Sequence, residues 1–192
     1  MEREVLLTGI GGQGVQLAAR VLACAAALED RHVMMLGVYG GSMRGGNTDS
    51  TLVVGDAPLC APPIVSRAWA ALVMHHQFWQ PLRARLRARA VVVLNSSIFE
   101  GELDRRAHRV FEVPATELAA KLGNPLAASM VATGSFARLT GLVRLDSLLA
   151  GMRESVPSYR RQHLELNERA LRAGFDAVRE PGVPAWADEE AA

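Results

Sequence analysis

Two glycine-rich segments could bring backbone amides close to a phosphate-bearing ligand. The first, residues 9–14, reads GIGGQG and lies between a strand-like and a helix-like segment. Backbone N–H groups at a helix start can hold phosphate, and glycines permit a tight turn and close approach of a ligand. Gln13, at the helix start, could donate and accept hydrogen bonds at such a ligand. A tight turn without any ligand is the alternative interpretation.

The pattern G-x-G-x-x-G also suggests a dinucleotide site, which can be tested further along the chain. Such a site requires an acidic residue about 20 positions on, at the carboxyl end of the second strand, to bind the ribose hydroxyls. That end reads LGVYG over residues 36–40, and Glu29 and Asp30 precede the strand instead. An NAD site is therefore disfavoured, and a stand-alone dinucleotide-binding oxidoreductase is kept only as an alternative.

The second glycine-rich segment, residues 39–48, reads YGGSMRGGNT and holds a single cation, Arg44. A guanidinium is a planar fork of donors suited to carboxylate or phosphate. Flanking glycines leave it room and allow neighbouring N–H groups to point at the same ligand. Alternatively, Arg44 only pins a mobile loop to a nearby carboxylate.

The bulk properties describe one globular domain. The chain has 192 residues, 49% of them apolar, and a formal net charge of +1, which calls for neither nucleic acid nor an anionic membrane. The longest apolar run, residues 21–28, is too short for a membrane helix. Cys24 and Cys60 form no CxxC pair, so no disulfide framework, zinc site or self-contained iron–sulfur cluster is indicated. With no signal peptide at the start, a reducing cytoplasm is the predicted setting.

Strand-like and helix-like segments alternate along the chain. This order predicts an α/β fold, a three-layer Rossmann-like sandwich with a mostly parallel sheet. We expect one domain over residues 1–180 and a flexible acidic tail over 181–192. The predicted strands are residues 5–7, 32–38, 51–54, 69–74, 90–94 and 109–113; the predicted helices are 15–28, an arginine-bearing helix before residue 90, 116–122, and two or three over 125–178.

Three further groups are candidates for chemistry. His75 and His76 are adjacent, so on a strand they would face opposite ways and could not easily share a metal. The arginines at 83, 85, 87 and 89 would form two pairs on a helix, and without interleaved aromatic residues they favour a solvated face or subunit contact over RNA binding. Cys24 is predicted to be inert core.

The two glycine segments together, followed by VVGD at residues 53–56, resemble the gamma domain of the 2-oxoacid:ferredoxin/acceptor oxidoreductases. NSSI at 95–98, VPATELA at 113–119, Gly123-Asn124 and Asn167 fit the same pattern. The resemblance covers roughly residues 5–178. The chain departs from the pattern at His75-His76, Ser129 and Ser42.

The resemblance implies a subunit of an enzyme that oxidatively decarboxylates a 2-oxoacid, of the pyruvate, 2-oxoglutarate, 2-ketoisovalerate or aryl type, to an acyl-coenzyme A. Thiamine diphosphate with Mg²⁺ and [4Fe-4S] clusters supply that chemistry. Here no Gly-Asp-Gly thiamine motif and no cysteine cluster occur. The chain is therefore expected to be inactive alone, without catalytic or metal-binding residues of its own. The implied partners are alpha- and beta-type catalytic chains and a ferredoxin-like chain.

The remaining role is part of the coenzyme A site or, alternatively, purely structural assembly. Because coenzyme A carries phosphates, the predicted contacts are the residues of the two glycine segments: Gly9, Gly11, Gly12, Gln13, Gly14, Arg44, Gly45 and Gly46.

Overall fold

The computed structural model describes residues 1–39, 45–157, 162–179 and 182–187, with Arg44 outside these ranges. The strands in this part of the chain are β1 (Glu2–Ile10), β2 (His32–Tyr39), β3 (Asn47–Gly55), β4 (Ala68–Val73), β5 (Leu86–Asn95) and β6 (Arg109–Val113). The α-helices are α1 (Val15–Ala27), α2 (Trp79–Arg83), α3 (Ala115–Lys121), α4 (Ala128–Thr140), α5 (Leu145–Ser155) and α6 (Leu164–Ala177). Short 3₁₀ turns, His76–Phe78 and Pro125–Ala127, precede α2 and α4.

The strands form one six-stranded sheet in the order β2-β3-β1-β4-β5-β6. β1, β4, β5 and β6 are parallel, whereas β3 runs antiparallel to both β1 and β2. The prediction of a mostly parallel α/β sheet is confirmed. β2 points the same way as β1, but it is not its neighbour, because β3 lies between the two.

The sheet is covered unequally on its two faces. Leu7 and its same-face neighbours on the central strands pack against α1, α3, α4, α5 and α6 in one large core. Leu6, which points the opposite way because strand residues alternate, packs in a smaller cluster with Trp79 and Leu82 of α2. The layers are therefore a thick helical layer, the sheet, and a thin layer built from α2 and adjoining loops.

Glycines set the distances between helices in the thick layer. A Cβ placed on Gly134 of α4 would lie 2.0 Å from the carbonyl oxygen of Leu171 in α6. One placed on Gly174 of α6 would lie 1.9 Å from that of Val131 in α4. The two helices therefore cross in backbone contact, which only glycine allows at these two positions.

The arginine-bearing helix is shorter than the sequence predicts. α2 ends at Arg83, and Arg87 and Arg89 lie in β5, so the expected helical pairs do not form. Arg83 lies 3.6 Å from Asp104, and Arg85 donates to the carbonyl of Val65. The helix stops because the chain must enter β5, which pairs with β4 from Leu86 onward.

Residues 182–187, within the segment predicted to be a flexible tail, pack on the domain. Ala185 is fully buried, and its amide donates to the backbone carbonyl of Thr140 over 2.6 Å. The indole of Trp186 donates to Leu142 and lies under the Arg31 guanidinium, 3.9 Å from the ring centroid. An apolar segment ending in Trp186 gains enough burial and hydrogen bonding to pack despite the flanking proline and acidic residues.

Candidate functional site

The first glycine segment forms a compact turn between β1 and α1. Gly12 and Gly14 have φ values of 100° and 76°, in the left-handed region that favours glycine. Gly14 is the N-cap of α1, and no side chain caps this helix start. A Cβ on Gly14 would lie 2.5 Å from Oγ of Ser129 in α4, so the turn packs directly on that helix. The first-turn amides of α1 are thus available at the tip of the turn.

Gln13 braces the turn. Its Oε1 accepts from the Ile10 amide over 2.9 Å, and its Nε2 donates to the Met74 carbonyl at 3.5 Å. The Gln13 amide itself donates to the Ile10 carbonyl. Its side chain therefore joins the turn to the end of β4, and direct contact of this side chain with a ligand stays a prediction.

The second glycine segment meets the first. The amide of Gly11 donates to the carbonyl of Gly46 over 2.9 Å. Gly45 has a φ of 71°, and a Cβ placed on Gly45 would have no atom within 4 Å. The two segments that the sequence assigned to one ligand are therefore in contact. Arg44, predicted to complete the site, precedes Gly45 and lies outside the described residues.

A cavity of about 360 Å³ opens beside the glycine turn. It lies at the carboxyl edge of the sheet, where β1, β4 and β5 end, which is where α/β folds bind ligands. Among the described residues, its lining holds carboxamide, hydroxyl and apolar groups but no charged side chain: Gly11, Gly12, Gln13, Met74, Asn95, Ile98, Thr116, Pro125, Leu126 and Ala128. The cavity therefore suits a neutral, flexible ligand segment with apolar and amide groups.

Asn95 and Thr116 fix one wall of this cavity. The Asn95 side chain is fully buried; its Nδ2 donates to Thr116 Oγ1 over 2.8 Å, and its Oδ1 accepts from the Thr116 amide over 3.2 Å. The end of β5 is thereby fastened to the start of α3. Both residues lie in the segments NSSI and VPATELA, but neither is among the contacts predicted from the sequence. The sequence signal that could have identified Asn95 is a polar residue at the end of a buried strand.

The paired histidines lie just beyond β4, so the opposite orientation expected for two adjacent strand residues does not apply to them. His75 precedes a 3₁₀ turn, and its Nδ1 accepts from the Gln77 amide over 3.1 Å. His76 Nδ1 lies 3.1 Å from the Ile98 carbonyl, and the two imidazole centroids are 4.4 Å apart. Burial, then the neighbouring His76, lowers the pKa of His75. Both rings hold local backbone, as a structural role requires.

A second, larger cavity of about 530 Å³ lies on the helical side. Leu126, 76% exposed, borders both cavities. The polar lining of this larger cavity includes Arg20, Asn124, His163 and Asn167.

Among the described residues, no cluster of three or more His, Cys, Asp or Glu side chains is placed to hold a metal ion. Within the same ranges, no helix has the length and apolarity that crossing a bilayer requires.

The fold and site define a class: an α/β domain whose paired glycine segments border a crevice at the carboxyl edge of its sheet. The sequence profile described as pyruvate ferredoxin/flavodoxin oxidoreductase matches residues 4–177, and the chain belongs to this family.

Relatives of known role agree with this assignment. The 2-oxoglutarate synthase subunit KorC of Archaeoglobus fulgidus is 32% identical over 187 residues, covering 96% of this chain and 93% of that protein. The gamma subunit of a keto/oxoacid ferredoxin oxidoreductase from Geobacter sulfurreducens superposes with a TM-score of 0.76 at 25% identity, covering 91% of this chain and 96% of that one. This chain is thus a gamma-type subunit of a multi-subunit 2-oxoacid:ferredoxin oxidoreductase.

A third similarity concerns the fold alone. The 2-oxoglutarate:ferredoxin oxidoreductase from Magnetococcus marinus, solved with 2-oxoglutarate, coenzyme A and succinyl-CoA bound, matches with a TM-score of 0.83 at 15% identity. The match covers 97% of this chain but only 33% of that chain. The same fold therefore occurs as one part of a much longer polypeptide.

Proposed function

We propose that this subunit supplies part of the coenzyme A site of its oxidoreductase complex, which converts a 2-oxoacid to an acyl-coenzyme A. The observation that supports the proposal is the contact between Gly11 and Gly46, because it joins the second glycine segment to a residue that lines the cavity. Coenzyme A combines a phosphate-bearing nucleotide with a neutral pantetheine arm. A site with these two characters side by side fits that ligand.

The two parts of the ligand would bind to different groups. The pantetheine arm carries amides and methylenes, which match the Thr116 hydroxyl, the Gln13 carboxamide and the apolar wall at Met74. The phosphates would lie at the rim of the cavity, beside the exposed Gly12 and the uncapped start of α1. Arg44 would supply the counter-charge, since the described part of the cavity lining contains no cation.

The electron chemistry would reside in partner chains. Cys24 lies in α1 beside Ser155, and Cys60 is exposed in the loop after β3, so these two thiols provide no cluster-binding set. Thiamine diphosphate with Mg²⁺ and [4Fe-4S] clusters would be bound by alpha- and beta-type catalytic chains and a ferredoxin-like chain. This subunit would bind and orient coenzyme A toward the acyl intermediate formed there.

Steady-state kinetics of the assembled complex test the coenzyme A role, with each substrate varied in turn. Arg44→Ala should raise the KM for coenzyme A roughly tenfold to a hundredfold, the expected loss of a charge-assisted hydrogen bond to phosphate. Arg44→Lys should recover part of this loss, because a point charge does not replace the guanidinium fork. Arg67→Ala is the control, since exposed Arg67 precedes β4 at the opposite edge of the sheet.

An unchanged KM for coenzyme A in a normally assembled Arg44→Ala complex would refute the ligand role. Dissociation of that complex would instead assign Arg44 to a subunit contact and support the assembly role alone.

A further inference from the structure

β2 is an edge strand with an unusually apolar sequence. Its only neighbour in the described sheet is β3. Residues 32–39 read HVMMLGVY, with no Asp, Glu, Lys, Arg or Pro. Val33 and Met35 point toward the helical core, whereas Leu36 and Val38 point to the other face and are 42% and 51% exposed. β2 therefore presents both an unpaired backbone edge and an apolar face.

In the part of the chain that the structure describes, none of the usual protecting devices is found at this edge. Proteins shield exposed edge strands with charged side chains, proline, bulges or a covering segment, because open N–H and C=O groups pair readily with other chains. β2 pairs with β3 in unbroken register from His32 to Tyr39, so it carries no bulge. α2, which covers part of this face of the sheet, packs over Leu6 and the central strands instead. The free edge of β2 therefore has the features of a strand that could pair with another chain.

The family's architecture indicates which chain covers it. This protein is a subunit of a hetero-oligomeric enzyme, and the same fold occupies only 33% of the Magnetococcus marinus chain. A fold embedded in a longer polypeptide has a permanent protein neighbour. By analogy, the neighbour expected for the present chain is a larger subunit of the complex. An uncharged strand edge is met best by an extended, uncharged strand of that subunit.

We propose that β2 is the docking strand of this protein and that a strand of a larger catalytic subunit pairs with its free edge, extending the sheet and covering Leu36 and Val38. The inference rests on the subunit role of the chain but not on coenzyme A binding.

This docking would also position the coenzyme A site. Tyr39 ends β2 opposite Thr48 of β3, so the second glycine segment starts and ends beside the docking strand. Gly46 of that segment holds Gly11 of the glycine turn. A partner strand on β2 would therefore lie beside Tyr39, where the second glycine segment starts, and close to the Gly11–Gly46 contact.

The test uses this subunit co-expressed with the other chains of its complex. Leu36→Lys together with Val38→Lys should reduce co-purification of the larger subunit at least about tenfold, because lysines on an edge strand oppose pairing. Ile64→Lys, at a loop residue 79% exposed, is the matched control and should assemble normally. Circular dichroism and thermal melting of the double variant establish that the chain itself still folds. Amide hydrogen exchange of residues 32–39 should slow in the wild-type complex relative to the free chain.

Normal assembly of the folded double variant, or unchanged exchange of residues 32–39 in the complex, would overturn the proposal. Self-association of the free chain that the lysines abolish while the complex still forms would also overturn it, by assigning the edge to a second copy. Assembly is measured apart from KM, so failure of the coenzyme A proposal leaves this test intact.

Discussion

The amide of Gly11 donates to the carbonyl of Gly46 across 2.9 Å, although the residues are 35 positions apart in the chain. This bond joins the turn before α1 to the segment before β3. Because β3 pairs with β1 from Ile10↔Asn47 onward, the contact continues the sheet register into the site. The site is thus set by strand pairing and not by the glycine turn alone.

The glycines of the turn should differ in their tolerance of alanine. Gly14→Ala should lower the free energy of unfolding by about 1–3 kcal/mol, because a Cβ there meets Ser129 at 2.5 Å and the φ of 76° is unfavourable for alanine. Gly11→Ala should cost less than about 0.5 kcal/mol, since its nearest neighbour would lie 3.5 Å away. Urea denaturation of both variants measures the difference, and equal losses would contradict this account of the turn.

The hydrogen bonds between Asn95 and Thr116 should contribute more to the free energy of unfolding than an exposed hydrogen bond does. Thr116→Val leaves the buried Nδ2 of Asn95 without its 2.8 Å partner and should cost about 1–3 kcal/mol in unfolding free energy. Thr116→Ser keeps the hydroxyl and is the matched control, with an expected loss of less than about 1 kcal/mol. If Thr116→Ser loses as much stability as Thr116→Val, the hydroxyl contributes no more than the methyl group to holding α3 on β5.

The sequence predicted the strands well because their apolar runs mark burial directly. It could not place β3 between β1 and β2, since strand order depends on pairing energies that no single segment carries. It found the glycine turn, whose residue types are dictated by local backbone angles. It missed the Asn95–Thr116 bond because that contact joins elements 21 positions apart. It misjudged Arg87 and Arg89 because helical spacing was read across the start of β5.

The crossing of α4 and α6 should be sensitive to a single methyl group. Gly174→Ala places a carbon 1.9 Å from the Val131 carbonyl oxygen, so the helices must separate. We expect a loss of about 1–3 kcal/mol or more, as for overpacking of a rigid core. Gly123→Ala is the control: its φ of 94° is unfavourable, but no atom lies within 4 Å. Gly123→Ala should lower the free energy of unfolding by about 1 kcal/mol. Thermal unfolding of the two variants measures these losses. If α4 and α6 adjust freely, Gly174→Ala will lose less stability than Gly123→Ala.

A buried histidine should make stability depend on pH. His108 is 8% exposed, its Nδ1 has no partner among the described residues, and it packs edge-on to Trp79. Burial, then the charge of Arg83, lowers its pKa, while Asp104 opposes the shift. The imidazole is therefore held neutral in the folded protein at pH values where the unfolded chain is partly protonated.

The sign of the effect follows from the extra protons bound by the unfolded state. Between the lowered pKa of His108 and its usual value of about 6.5, the unfolded chain binds more protons, so stability falls as pH decreases through this range. His108→Gln should flatten that part of the profile, measured as unfolding free energy in urea from pH 7.5 to 5. His163→Gln, at an exposed ring, should keep the wild-type slope. The pKa of Asp104, lowered by the amides of Ala107 and Arg106, affects stability only below about pH 4 and does not overlap this range. A slope that survives in His108→Gln would mean that His75, whose pKa is also lowered by burial, produces the pH dependence instead.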